Sequence, residues 1–528
     1  MRVANGKWVG PDRHTGAVSH RSTATIHESS PVTHPRHPEA HDHHPPATMS
    51  PTIEHGRLRW RPGRHQFGRS SGPVLVWAVV VATAVVVGIA VAYNLLAGLA
   101  VAVVVLGFGI FVADPILLVV IVLPGAILIQ RVGGSSTNLS VADVLVFVGA
   151  FICLFHIDWS TAKNLKRFLT GILWYQAVLV LVVVAHPFRG DFIEWFHRLS
   201  YLAGSTLVGW VIATNGRARQ AFRLYLWGAA LLAIIALEHA VALHFQPAQW
   251  GVYQKNAVGS VMWVAVVIAQ LNPSWARIPK VEARVMEVLC LLGLLASQSR
   301  QAAILVVLAL GTAVLRDSHI RGRWKTVMFI AVPALGLTYY SFVLAFRNNP
   351  QFNSVAIRVG QIGAAVHVWH QSPWLGLGLR FYYLPQFASV TAPPNSLIDN
   401  LASTGIIGSV AFFFMVMVTM RSMALLPRVY GTLGLVVLMA HYVDGLFDIF
   451  WIGAESIAPF VIAGIALGMA DADPKGDRAR DLAEVTNADR RRLDRGTGAR
   501  PSRRDLPPYR PSARGSVEPG AVPPGAGR

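Results

Sequence analysis

FLTGILWYQAVLVLVVVA, residues 168–185, runs eighteen positions without a charged side chain. That is close to the ~20 apolar residues a helix needs to cross a bilayer. Lys163, Lys166 and Arg167 stand immediately before it, as basic residues do at the cytoplasmic end of a spanning helix. The same pattern recurs along the chain. Apolar segments centre near 73–92, 95–112, 115–130, 141–156, 168–185, 199–214, 222–243, 257–271, 284–298, 301–315, 326–345, 396–419, 430–447 and 455–470. Lipid offers no partner to a free backbone group, so each spanning run is expected to be helical. The expected fold is an all-α polytopic transmembrane protein of about 12–14 helices.

Composition agrees. Of 528 residues, 53% are hydrophobic and only 14% charged, against about 25% charged in soluble proteins. A soluble enzyme and a disulfide-rich secreted domain are excluded as readings of the whole chain. The net charge of +19 invites a nucleic-acid reading, but half of the basic residues lie in two polar tails and most others in short loops between apolar runs. No nucleic-acid partner is expected. Residues 1–72 are rich in His, Pro, Ser, Thr and Arg, and 471–528 in Arg, Pro, Gly and Asp. Neither composition can bury enough surface to offset chain entropy. Both are read as disordered tails around a membrane domain at 73–470. No cleavable signal peptide is visible before Gly72, so the first apolar run is expected to act as an uncleaved anchor. Cys153 and Cys290 sit in apolar runs and form no CxxC pair, so neither a disulfide framework nor a metal site is expected.

The loops set the orientation. Basic residues gather at Lys163–Arg167, Arg217–Arg223, Arg277–Arg284, Arg316–Lys325 and Arg421–Arg428. Placing these loops in the cytoplasm puts both tails there as well. The longest loop of the membrane domain, residues 346–395, then faces outward. Long loops carrying polar and aromatic residues are usually functional.

Several residues are candidates for chemistry. Arg300, between two apolar runs, is a costly charge at that depth and needs a partner or a polar cavity. A guanidinium suits phosphate because its planar fork makes paired hydrogen bonds; the alternative is a side chain reaching out to the headgroups. Arg347 and Arg358, outward against the charge bias, are candidates to join it around a diphosphate; Lys255, before Asn256 at the start of the 257–271 run, is a weaker candidate. His367 and His370 are candidate bases. Asp399 could accept a proton or pair with an arginine. Asp444, Asp448 and Glu455 flank another outward turn; they line a sugar site or solvate a helix end. Trp369, Trp374, Phe381, Tyr382 and Tyr383 form either an interfacial belt or a platform for sugar rings. No phosphate-binding glycine loop or nucleotide domain is present.

Three stretches resemble the O-antigen ligase and polymerase family of bacterial membrane glycosyltransferases. Ser299-Arg300 is similar to its Ser-Arg-Gly element. Arg358 to Leu379, ending Ser372-Pro373-Trp374-Leu375-Gly376-Leu377-Gly378-Leu379, resembles its outer loop. Asn395-Ser396-Leu397 through Ala402-Ser403-Thr404-Gly405-Ile406-Ile407-Gly408 resembles the helix that follows. Leu139-Ser140-Val141-Ala142-Asp143 is a softer match. The resemblance implies transfer of a glycan from undecaprenyl diphosphate to an acceptor hydroxyl, on a sugar or a lipid-anchored acceptor, at the outer face of the cell membrane. It implies no cofactor and no metal. It assigns Arg300 and Arg358 to the leaving diphosphate, where they stabilise developing charge, and places Asn395 and Trp374 near the substrates. Ligases carry a histidine before the Asn-Ser pair; here that position is Pro394. Proline is no base, so the task falls to His367, His370 or Asp399, or to positioning and charge alone. A transporter or flippase of lipid-linked glycan or an anionic solute is the competing reading, and a scaffold acting through its tails a third.

Overall fold

A computed structural model of the chain describes residues 114–129, 139–244, 253–317, 354–387, 392–448 and 453–477, with a few single positions besides. The tail at 1–72, most of that at 471–528, the runs 73–92, 95–112 and 326–345 (but for scattered single positions) and Arg347 lie outside the described residues. All regular structure among the described residues is helical, without a β-strand. In chain order the helices are α1 (Pro115–Gly125), α2 (Val141–Leu154), α3 (Lys163–Ala185), α4 (Arg189–Leu199), α5 (Ser205–Thr214), α6 (Ala218–Ala242) and α7 (Lys255–Leu271). Then follow α8 (Lys280–Ser297), α9 (Arg300–Arg316), α10 (Ser354–Trp369), α11 (Ser396–Leu425), α12 (Arg428–Asp444) and α13 (Ile457–Asp471). A π-turn at Ser200–Gly204 joins α4 to α5 without a break.

The chain is an all-α polytopic membrane protein. α3, α6, α11 and the segment Ala454–Asp471 are long and apolar enough to cross a bilayer, and α1, α2 and α7 are shorter apolar helices. Their outward faces confirm the solvent. On α3, Leu173, Trp174, Leu181 and Val184 are exposed, while Leu165, Phe168, Ile172, Tyr175 and Leu179 are buried. An apolar surface on this scale needs lipid against it.

At the centre α13 packs on α5, and every residue of α13 is buried. Small residues allow the approach, as is usual between membrane helices. A Cβ on Gly464 would stand 2.2 Å from the Thr206 carbonyl oxygen, and one on Gly209 would stand 2.0 Å from that of Val461. The basic loops collect at one end of the bundle, where they are locked together. Arg316 donates to the carbonyls of Met423, Ala424 and Leu426, and Arg223 pairs with Glu282 at 2.7 Å. There too Asp471 accepts from the N–H groups of Asn164 (2.9 Å) and Leu165 (3.3 Å) and from Trp210 Nε1 (2.9 Å). A carboxylate so placed satisfies the orphan amides at the start of α3 and meets the positive end of its dipole. Asp471→Ala is expected to cost about 1–2 kcal/mol, read as a lower midpoint in thermal unfolding; an unchanged midpoint would contradict this account.

Two elements depart from the sequence reading. Residues 354–369, read as loop, form α10, whose Ala365 and Val368 are buried in a small cluster with Phe381 and Ala402. The start of the C-terminal tail is ordered, since Asp473 accepts from Tyr430 Oη (3.0 Å) and from Ala479 N (2.9 Å).

Candidate functional site

The end of the bundle opposite the basic loops carries the three stretches singled out above. Two of them are halves of one joint. Helix α11 breaks at Gly405, whose φ of 64° and ψ of −164° lie outside helical space. In an unbroken helix, Ile406 N and Ile407 N would donate to the carbonyls of Ala402 and Ser403. Here they donate to Pro373 O (2.9 Å) and Trp374 O (3.2 Å) instead. The abandoned carbonyls accept from the loop in return: Leu377 N reaches Ala402 O at 3.1 Å, and Gly378 N reaches Ser403 O at 3.0 Å. Four hydrogen bonds are exchanged between helix and loop, so these four helix groups keep partners in an apolar setting. Glycines make the contact possible. A Cβ on Gly405 would lie 2.3 Å from the Trp374 carbonyl, and one on Gly376 (φ 69°) would lie 2.3 Å from the Ser403 carbonyl carbon.

Three cations at this end of the bundle come from three elements. Lys255 opens α7, Arg300 opens α9 and Arg358 lies on α10. Lys255 is within electrostatic reach of both arginines. The turn between α8 and α9 sets Arg300: Gln298 takes a left-handed conformation and Ser299 caps α9, accepting from Ala302 N at 3.4 Å. Ser299 Oγ donates to Asn256 Oδ1 (3.3 Å), and Asn256 Nδ2 donates to Asp448 Oδ2 (2.7 Å). Asp448 faces Arg358 Nη2 at 3.6 Å, and Arg358 also donates to the carbonyl of Phe447. Two helix N-termini, with their positive dipole ends, thus lie next to three side-chain cations. The combination suits an anionic ligand.

Asp399 lies elsewhere. It is buried and accepts from Arg198 Nη2 at 3.1 Å. Arg198 and Glu194 are each 1% exposed and pair at 3.0 Å. Glu194 also holds Arg380, through Nη2 at 3.1 Å. Arg198 Nη1 reaches Tyr175 Oη at 3.0 Å and Asn400 Oδ1 at 3.4 Å. The network ties α3, α4, α11 and the loop together. Asp191, at the start of α4, accepts from Arg380 N at 2.7 Å. Burial pushes the Asp191 carboxyl up to about 6, with the Arg380 N–H opposing. Burial works against the charge on Arg380, but Glu194 together with Tyr382 and Tyr383 outweighs it and holds the guanidinium above its usual range.

The remaining candidates scatter. Asn395 is half-buried and caps α11, its Oδ1 accepting from Leu397 N (3.0 Å) and Ile398 N (3.1 Å) and its Nδ2 donating to Leu446 O (2.9 Å). The ring of Trp374 is exposed, and its backbone makes the joint. His367 and His370 are exposed; the ring of His370 lies 4.8 Å from that of Trp369. The softer Ser140–Asp143 match is a capping box: Ser140 N donates to Asp143 Oδ2 at 2.5 Å and Asp143 N to Ser140 Oγ at 3.2 Å. Its carboxylate also accepts from Tyr201 Oη at 2.5 Å, tying α2 to the π-turn.

The network of Glu194, Arg198 and Arg380 is absent from the sequence reading. A signal for part of it exists: Asp191, Glu194, Arg198 and Tyr201 recur at spacings of three and four, one face of a helix. Four polar groups on that stripe beside apolar runs are expected to face protein rather than lipid.

The fold and this end of the bundle define a polytopic membrane protein with a cationic site built on helix N-termini beside a broken helix. Residues 285–413 match the family described as O-antigen ligase. The match covers about a quarter of the chain, from α8 into α11, and takes in Arg300, Arg358 and the whole joint. It bears out the resemblance to the O-antigen ligase and polymerase family, and it supports a glycosyl-transferring role in polysaccharide assembly at a membrane. No curated protein matches the chain.

Proposed function

We propose that the protein transfers glycan from undecaprenyl diphosphate to an acceptor hydroxyl during assembly of a surface polysaccharide. The observation that carries this reading is the meeting of Lys255, Arg300 and Arg358 at two helix N-termini. Such a site holds the diphosphate and stabilises the charge that grows on it as the anomeric carbon–oxygen bond breaks. The acceptor is a sugar or lipid-anchored sugar, and the cationic end of the bundle faces outward from the cytoplasmic membrane. The opposite end, with its basic loops and both tails, faces the cytoplasm.

Mass spectrometry of carrier-linked glycan and finished polysaccharide tests this in a strain lacking the gene, complemented with wild type or Arg300→Ala. The variant is expected to insert normally and to lower product about 10²–10³-fold. Accumulated single repeat units identify a polymerase, and accumulated long carrier-linked chains a ligase. Unchanged glycan length and amount with Arg300→Ala overturns the proposal. Failed export of carrier-linked glycan with intact polymerisation turns the reading to a transporter.

A further inference from the structure

Displacement at an anomeric carbon requires a destination for the proton of the acceptor hydroxyl. Pro394 offers none. The turn that packs against its neighbours does. Asn395 donates to Leu446 O (2.9 Å), while Ser396 donates to Gly445 O through both N (2.7 Å) and Oγ (2.6 Å). This turn, Asp444 to Asp448, carries two carboxylates one helical turn apart.

They differ in setting. Asp444 is 1% exposed. Its Oδ1 accepts from Gln301, the residue after Arg300, and its Oδ2 has no hydrogen-bond partner among the described residues. It is walled in and cannot meet a substrate. The side chain of Asp448 is 17% exposed and faces the cation site directly, beside Asn256 and Arg358.

We propose that Asp448 is the base of the reaction and that Arg358 controls it, an inference that rests on the function proposed above. Without donor, Arg358 neutralises Asp448. A bound diphosphate offers the guanidinium more negative charge and two oxygens for paired hydrogen bonds. Arg358 then turns from the carboxylate to the diphosphate. Asp448 is left with Asn256 as its hydrogen-bond donor, on the exposed side of the turn from the buried Asp444. Lys255 and Arg300 are engaged by the diphosphate. Loss of a cationic neighbour strengthens a carboxylate as a proton acceptor. The base is therefore switched on by donor binding.

The step balances. The acceptor hydroxyl gives its proton to Asp448, and its oxygen forms a bond to the anomeric carbon. The bond from that carbon to the diphosphate oxygen breaks, and its electron pair leaves on the diphosphate, held by Lys255, Arg300 and Arg358. Asp448 releases the proton to water and pairs with Arg358 again once the carrier departs.

The test separates binding from turnover. Full-length protein in lipid nanodiscs is titrated with undecaprenyl diphosphate alone, and product is read in the complemented strain described above. Asp448→Asn keeps an oxygen for Asn256 but removes the charge that competes for Arg358. It is expected to bind the probe as tightly as wild type or several-fold tighter, and to lower product about 10²-fold or more. Asp448→Glu is expected to recover part of the product. Arg358→Ala is expected to weaken probe binding about tenfold. Should the amide variant fail to fold, Asp448→Ser carries the same two readings. Product within a few-fold of wild type in Asp448→Asn overturns the assignment, as does loss of binding and product together in a variant that melts like wild type. If wild type itself moves no carrier-linked glycan, the proposed function fails and this inference with it. If wild type is active and Asp448→Asn equally so, only the inference fails.

Discussion

Gly405→Ala is expected to undock the loop from α11 and to reduce product to background. The backbone at Gly405 occupies a region that is in practice open only to glycine, and holding another residue there costs about 1–3 kcal/mol. Steric contact adds to this: the new Cβ would stand 2.3 Å from the Trp374 carbonyl carbon and oxygen. That neighbour is backbone, held by Ile407 N, and cannot swing aside like a side chain. The cheapest escape is to straighten α11, restoring the bonds from Ile406 and Ile407 to Ala402 and Ser403. The loop then loses all four partners at once. Hydrogen exchange checks this directly: the amides of Leu377 and Gly378 should lose protection while those of Ile406 and Ile407 keep theirs. Gly360→Ala is the control, since a Cβ there meets nothing within 4 Å. Wild-type exchange and product in Gly405→Ala would refute the joint as described.

Arg198→Leu is expected to be the most destabilising single change in the described residues. Removing one member of a buried ion cluster costs about 3–5 kcal/mol because its partners stay buried and charged. Here two carboxylates are stranded, Glu194 and Asp399, and Tyr175 and Asn400 each lose a contact. Arg380 holds Glu194 from the other side, so Asp399 should carry most of the penalty. The double variant Arg198→Leu with Asp399→Asn is therefore expected to be more stable than Arg198→Leu alone, a coupling that thermal unfolding in nanodiscs can measure. Equal or additive losses would show that the two do not share the network. The same cycle bears on Asp399 itself. A residue that only anchors Arg198 should give Asp399→Asn variants whose loss of product follows their loss of stability.

Much of the fold was legible because lipid imposes a simple rule. Apolar runs of spanning length, such as 168–185, have one available structure, and the charges of Lys163, Lys166 and Arg167 mark their ends. The site was legible in pieces. Arg300 stood out as a charge between apolar runs, Arg358 as a cation against the expected bias, and Lys255 as a weaker candidate at the start of an apolar run. What joins the pieces was hidden. The bonds between 373–378 and 402–407 are made by backbone, and backbone chemistry is the same at every residue; only the glycines at 376, 378 and 405 hinted at them. Arg198 reads in the sequence as one more loop charge, because its partners Tyr175, Asp399 and Asn400 come from distant positions. Helix α10 was read as loop because it lies between polar stretches and contributes only a small buried patch, Ala365 and Val368, to the bundle.

The exchanged hydrogen bonds divide residues 346–395 into stretches with different freedom to change. The stretch at 373–378 is spliced into a membrane helix, so its length is fixed to the residue: one insertion would shift every donor off its acceptor. The anchor at Arg380 and the cap at Asn395 fix the two ends of the stretch between them, and lengthening a closed loop costs little, about 0.6 kcal/mol per doubling. Drift in length, grafted epitopes and changes in acceptor preference should therefore concentrate after Phe387, past the cluster against which Leu384 and Phe387 pack. A tag placed there would report on the loop from outside the machinery, while the same tag within 373–378 would take it apart.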